Sequence, residues 1–148
     1  MGRDHPPGAR RRCTKGSELS GFVDTNVLIR HMTGDPPATA SRATAALGSG
    51  RTLLLTDLVA AECVYVLESF YEVGRKQIAS LLRAAIAMPS LATLSPSLLL
   101  RTLEVYETDS LHFVDAYLVA QAEITGVGEV VSFDRGFDRI TTVTRREP

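Results

Sequence analysis

Cysteine is nearly absent from this 148-residue chain, occurring only at Cys13 in a polar stretch and at Cys63 inside an apolar helical pattern. Two such positions make no disulfide framework and no Cys/His spacing suited to zinc. Long apolar runs are missing as well. The longest, such as Leu53-Leu54-Leu55 and Leu98-Leu99-Leu100, fall far short of the about 20 residues that cross a bilayer, so no membrane span is expected. The positively charged N-terminus lacks the apolar stretch that follows in a signal peptide, which makes a cytoplasmic location the expectation. Lysine is confined to Lys15 and Lys76.

What remains is a chain with 45% hydrophobic and 22% charged side chains, the composition of one globular domain around one core. Its net charge of −1 hides an asymmetry. Residues 1–20 carry five basic and two acidic side chains, which leaves eleven basic against fifteen acidic in the remainder. A protein that binds nucleic acid by neutralising phosphate needs a basic footprint. An acidic domain must take that positive charge from elsewhere, and bound metal ions are the natural source.

Residues 1–19 mix Pro6-Pro7-Gly8, Arg10-Arg11-Arg12 and Gly16 with almost no apolar side chains and are expected to form a disordered basic tail, leaving residues 20–148 as the domain. From Gly21 onward short apolar runs alternate with helical periodicity, the pattern of a parallel sheet covered by helices. The strand candidates are Phe22-Val23, Thr52–Leu55, Leu91–Leu94, Val130–Phe133 and Ile140–Val143. Val59, Cys63, Val66, Phe70 and Val73 recur at spacings of four and three, predicting an amphipathic helix capped by Thr56. A second helix carries Ile78, Leu81, Leu82, Ala85 and Ile86 and is stopped by Pro89; a third starts at Ser95-Pro96. Another begins near Ser110 or Leu111 and ends at Gly126.

Four acids fall at informative places on these elements. Asp24 closes the first strand, Asp134 closes a later one, Glu62 lies in the second turn of its helix, and Asp115 lies early in its own. In a parallel α/β sheet the strand C-termini and helix N-termini share the edge where ligands bind, so the four are expected to converge. Glu62 and Asp115 are flanked at helical spacing by apolar residues, a costly placement unless positive charge compensates it. Each acid alone has an ordinary explanation: a helix cap, a dipole partner, a turn with Gly136, an ion pair with arginine. Taken jointly those explanations weaken. Clustered carboxylates suit hard divalent cations such as Mg²⁺ or Mn²⁺, and phosphodiester hydrolysis is a common use of such a cluster.

These residues also carry a family resemblance. Phe22-Val23-Asp24-Thr25-Asn26-Val27-Leu28 resembles the opening motif of PIN domains, Ala61-Glu62 the second, Phe113-Val114-Asp115-Ala116 the third, and Ser132-Phe133-Asp134-Arg135-Gly136-Phe137 the fourth. Spanning about residues 21–147, the resemblance is closest to the VapC toxins of bacterial toxin–antitoxin pairs. It implies an α/β sandwich with a mostly parallel central sheet of about five strands flanked by helices. It further implies a Mg²⁺- or Mn²⁺-dependent endoribonuclease, usually a homodimer, inhibited by a VapB-like antitoxin. Carried over by motif, Asp24, Glu62, Asp115 and Asp134 are the catalytic acids and metal ligands, with Asn26 and Ser132 placed to hydrogen-bond a carboxylate or a coordinated water. Thr25 adjoins the first acid. Arg135, beside Asp134, is the candidate RNA contact, whereas Arg75, Lys76 and Arg139 are expected to be solvated. Asp138 is expected to face solvent, and His112, three residues before Asp115, to lie outside the site as a surface or capping residue.

Two other acid-lined classes fail on absences. A haloacid-dehalogenase-like phosphatase needs a second acid two residues after the first, where Asn26 stands. A response-regulator receiver needs a late lysine, and the last one here is Lys76. The competing reading from another class is a PIN-fold module that binds RNA or an antitoxin without cutting.

Overall fold

The parallel pairing predicted from alternating strand and helix signals is what the backbone adopts, and it dictates where the acids go. Residues 18–148 are described by a computed structural model. The expected tail lies outside these residues as far as Ser17, and its last residue, Leu19, already belongs to a strand. That strand, β1 (Leu19–Phe22), pairs in parallel with β2 (Thr52–Leu54), which pairs in parallel with β3 (Leu91–Ala92). Parallel neighbours require crossover connections. These are supplied by α1 (Thr25–Thr33) and α2 (Pro37–Leu47) between β1 and β2, and by α3 (Asp57–Ser69) and α4 (Arg75–Ile86) between β2 and β3. The chain continues through α5 (Pro96–Thr108) and α6 (Phe113–Thr125) to β4 (Glu129–Val131), a 3-10 turn over Arg135–Arg139, and β5 (Thr144–Arg146).

The strands form two sheets, β1-β2-β3 and β4-β5, where one sheet of about five was expected. β4, three residues of which only Val130 faces the core, pairs with β5 alone. β3 stops at Ala92, beyond which Leu94 is 80% exposed, and Ile140 and Val143 are buried just before β5 and not within a strand.

Local signals account for most helices. Asp24 caps α1, the Thr56 hydroxyl accepts from the Val59 N–H at 3.2 Å, Ser95 caps α5 ahead of Pro96, and Gly126 ends α6 at φ 71°. The stripe predicted to reach Val73 is cut short, because α3 ends at Ser69 and Phe70 is 78% exposed. Ala60, Cys63, Val64 and Leu67 form the buried face in its place. α6 begins two residues later than Leu111, after Ser110 turns with φ 56°. Helix α2 carries no strong apolar period; only Pro37 at its first position marks it.

The core runs through the molecule from Leu28 and Leu55 to Leu67, Ile78, Leu82, Leu103 and Phe137. α5 packs on α4 and α6, α1 packs on α2 and α3, and α6 also touches β4. Among the described residues no helix is long and apolar enough to cross a membrane.

Candidate active site

Asp24 is delivered to the edge of the sheet by β1. Val23, 3% exposed, extends the ladder through its N–H to the Leu54 carbonyl at 3.1 Å, and Asp24 follows as the N-cap of α1. One carboxylate oxygen, Oδ2, accepts the Asn26 backbone N–H at 3.3 Å. Thr25 is buried, and a buried hydroxyl needs a partner. It finds one in Glu62, donating to Oε2 at 2.5 Å. That bond joins the first turn of α1 to the second turn of α3 across 37 residues.

Asp115, half-buried in the first turn of α6, has its carboxyl raised above the usual range, chiefly by burial and then by the negative charge of Asp134, with His112 opposing. Asp134 caps the 3-10 turn: its Oδ1 accepts the Gly136 N–H at 2.7 Å, while its own N–H donates to Ser132 Oγ at 3.0 Å. A Cβ at Gly136 would stand 3.0 Å from both Asp134 Oδ1 and Leu111 Cδ2. The Asp134 turn is therefore pressed against the segment that leads into α6. Beneath Glu62, the Cys63 thiol is pushed up to about 12 by burial, with Glu62 and Asp24 adding to the effect. The two carboxylates thus bear on one thiol.

Asp24 and Glu62 both bear on the Cys63 thiol, and Asp115 feels the charge of Asp134. Among the described residues no three Asp, Glu, His or Cys side chains form a ready-made cation cage. Asp24 and Asp134 each accept from the N–H two residues on and Glu62 accepts from Thr25, which leaves the second oxygen of each out of those bonds. Oxygen donors of this kind are what Mg²⁺ or Mn²⁺ prefers.

The supporting residues differ in part from expectation. Asn26 serves Asp24 through its backbone, and Ser132 holds the backbone of Asp134; neither makes a side-chain bond to a carboxylate. Arg135 is exposed beside Asp134, and its charge bears on Asp138. Asp138 faces solvent, as expected, and is paired there with Arg145 at 2.8 and 3.2 Å, which lowers its carboxyl below the usual range. His112 sits at the N-cap of α6 without a side-chain capping bond.

Arg75 is the clearest residue that sequence reasoning misplaced. Far from being solvated, its Nη1 donates to the Tyr106 carbonyl at 2.7 Å and to the Leu111 carbonyl, and its guanidinium lies 4.2 Å from the Tyr106 ring centroid. It ties α4 to the connection that sets the start of α6, and so helps place Asp115. A cation in the first turn of a helix opposes the dipole, and that mismatch was the available signal. A second tie, Tyr117 Oη to Asp57 Oδ2 at 2.7 Å with Gln121 donating to Tyr117 at 3.0 Å, locks α6 to the start of α3.

No curated protein matches the chain. The PIN domain, generally a nuclease fold, matches residues 21–143, a span that takes in Asp24, Glu62, Asp115 and Asp134 together with the elements that carry them. The parallel order of β1-β2-β3, the flanking helices and this match agree, and the chain belongs to the PIN-domain family.

Proposed function

We propose that this PIN domain is a metal-dependent endoribonuclease and the toxin of a VapBC-type pair, acting in the cytoplasm as a homodimer and held in check by a VapB-like antitoxin. Asp24, Glu62, Asp115 and Asp134 would hold Mg²⁺ or Mn²⁺. The observation that carries the reading is the half-buried Asp115 carboxylate under the charge of Asp134, which the exposed His112 opposes without overcoming, an arrangement whose cost a divalent cation would remove. Such a cation, when bound, neutralises the scissile phosphate and makes water a better nucleophile. The chain's own residues do the positioning. Thr25 fixes the Glu62 carboxylate, the Asn26 N–H fixes Asp24, and the Gly136 N–H fixes Asp134, so each acid presents a defined oxygen without a large loss of side-chain freedom on binding. Arg135 stands beside Asp134 to meet an RNA phosphate.

One observation favours a second reading, a module that binds RNA or antitoxin without cutting: among the described residues no three acids form a ready-made cage. A single experiment separates the two. Purified protein with Mn²⁺ is expected to cut RNA internally, leaving 5′-phosphate and 3′-hydroxyl ends, with EDTA abolishing the reaction. If Asp24→Asn and Asp115→Asn cut as well as the parent protein, the assigned chemistry is wrong; if the parent binds RNA but never cuts it, the binding module stands.

A further inference from the structure

Helices α1 and α3 pack together and lead away from Asp24 and Glu62, tied near the acids by the Thr25–Glu62 bond and further along by Arg30 and Tyr71. Between them lies an open cleft of about 430 Å³. Asn26 lines one end of it, and the backbone N–H of Asn26 is the one bonded to the Asp24 carboxylate. Val66 and Phe70 line it from the other side. They stand one and two turns past Glu62 on α3, so the cleft starts beside the acids and extends about 11 Å along the helix.

The lining joins three kinds of group. Phe70 is an aromatic ring 78% exposed, held by an edge-to-face contact with the half-buried Tyr71 at 5.3 Å between centroids. Arg30 is a half-buried donor, in no ion pair among the described residues. Its Nη1 donates to neutral acceptors, the Asp35 carbonyl at 2.9 Å and Tyr71 Oη at 3.4 Å, which orient the guanidinium and leave Nε and Nη2 out of those bonds. Asp35 is an exposed acceptor whose own hydrogen bonds run through its backbone and whose carboxylate is in no ion pair among the described residues.

A carboxylate beside the cation disfavours a phosphate here and favours a neutral ligand that both accepts and donates. Guanine does so on adjoining edges: O6 and N7 accept, as in the bidentate arginine contact, while N1–H and the N2 amino group donate. Adenine carries an amino donor where guanine has O6, and would turn it toward Arg30. Single-stranded RNA is read in this manner, a base stacked on an aromatic ring with its edges hydrogen-bonded.

We propose that the α1–α3 cleft is a base pocket that receives a guanine of single-stranded RNA close to the scissile phosphate, stacked on Phe70 and held at its edges by Arg30 and Asp35. This rests on the ribonuclease reading above and adds to it a source of sequence preference.

RNA of random sequence is cut in Mn²⁺, and the new 5′ ends are mapped for the parent, Phe70→Ala, Asp35→Asn and Arg30→Gln. The parent's cuts are expected to share a guanine at one fixed position within a few nucleotides of the break. On an oligonucleotide carrying that guanine, Phe70→Ala should lower kcat/KM by about tenfold and raise Kd in EDTA by a similar factor, the scale of one base stack, with Tm nearly unchanged because the ring is exposed. Replacing the guanine by 7-deazaguanine, which lacks the N7 acceptor, should weaken the parent several-fold and Arg30→Gln hardly at all. Inosine, which lacks the N2 amino group, should weaken the parent and spare Asp35→Asn in the same way. If the parent cuts RNA with no shared guanine, or if Phe70→Ala keeps its Kd, KM and cut-site preference, the cleft proposal falls and the nuclease reading survives. Analogues that weaken parent and variants alike also overturn it. A parent protein that neither binds nor cuts RNA overturns both readings.

Discussion

Replacing Arg75 by alanine isolates what the α4 N-terminus does for the site. The substitution removes a donor to the Tyr106 and Leu111 carbonyls and the cation stacked on the Tyr106 ring at 4.2 Å. Arg75 is half-buried, so water can enter and partly satisfy the two carbonyls. Each lost bond is then worth about 1 kcal/mol, near the low end for a deprived acceptor. The cation–ring contact adds about 0.5–1 kcal/mol, and loss of the packed aliphatic stem a comparable amount. The total is about 3 kcal/mol, which for a domain of this size corresponds to roughly 10–15 °C in Tm. Thermal melts and urea titrations with an unchanged slope would read it directly. Arg75→Lys, able to reach one carbonyl but not both with a planar fork, should lose about half as much. Because Leu111 leads into α6, cleavage by Arg75→Ala should fall even well below its melting temperature. If Arg75→Ala melts within about 3 °C of the parent, the tie is a surface contact of little consequence and the reasoning fails.

Asp115→Asn removes a carboxylate whose ionisation burial and Asp134 oppose, so in EDTA the variant should melt no lower than the parent, while cleavage disappears and Mn²⁺ raises its Tm less than the parent's. Gly136→Ala puts a Cβ 3.0 Å from Asp134 Oδ1 and Leu111 Cδ2, and should cut activity by tenfold or more for a loss of about 1–2 kcal/mol, measured by paired kinetics and melts. Thr25→Val keeps the shape but deprives Glu62 of its hydroxyl donor, and should cost about 1 kcal/mol with a larger drop in kcat than in KM. Glu123→Gln weakens the bidentate clasp in which Arg101 meets both Glu123 oxygens at 2.9 Å, at about 1 kcal/mol near neutral pH. The Arg101 hydrogen bond holds the Glu123 carboxyl below its usual range, so the clasp's contribution is present above the unfolded value and lost as pH falls through the folded one. Melts across pH should therefore show the gap between Glu123→Gln and the parent closing in acid.

Several features were legible in the sequence because they are settled within a few residues of chain. Thr56 and Ser95-Pro96 cap their helices, and Gly126 ends one in the left-handed region, since the groups they satisfy lie in the adjacent turn. The order of the acid-bearing motifs on alternating strands and helices likewise placed Asp24 after β1, Glu62 and Asp115 in early helical turns and Asp134 after β4, as the backbone does. Other features depend on which distant segment arrives beside a residue, and no local pattern carries that. Thr25 meets Glu62 across 37 residues, and Arg75 meets Leu111 across 36. The division of the strands into β1-β2-β3 and β4-β5 is of the same kind, since strands of two to four residues have too few ladder bonds to specify a partner by themselves. So is α2, whose weak apolar period becomes a helix by packing on α1. The sequence alone thus determined which acids stand at which ends of which elements. The tertiary structure decided which distant groups they meet, Thr25 reaching Glu62 across 37 residues and the charge of Asp134 coming to bear on Asp115, because partners for buried and crowded groups are assigned only when the chain closes on itself.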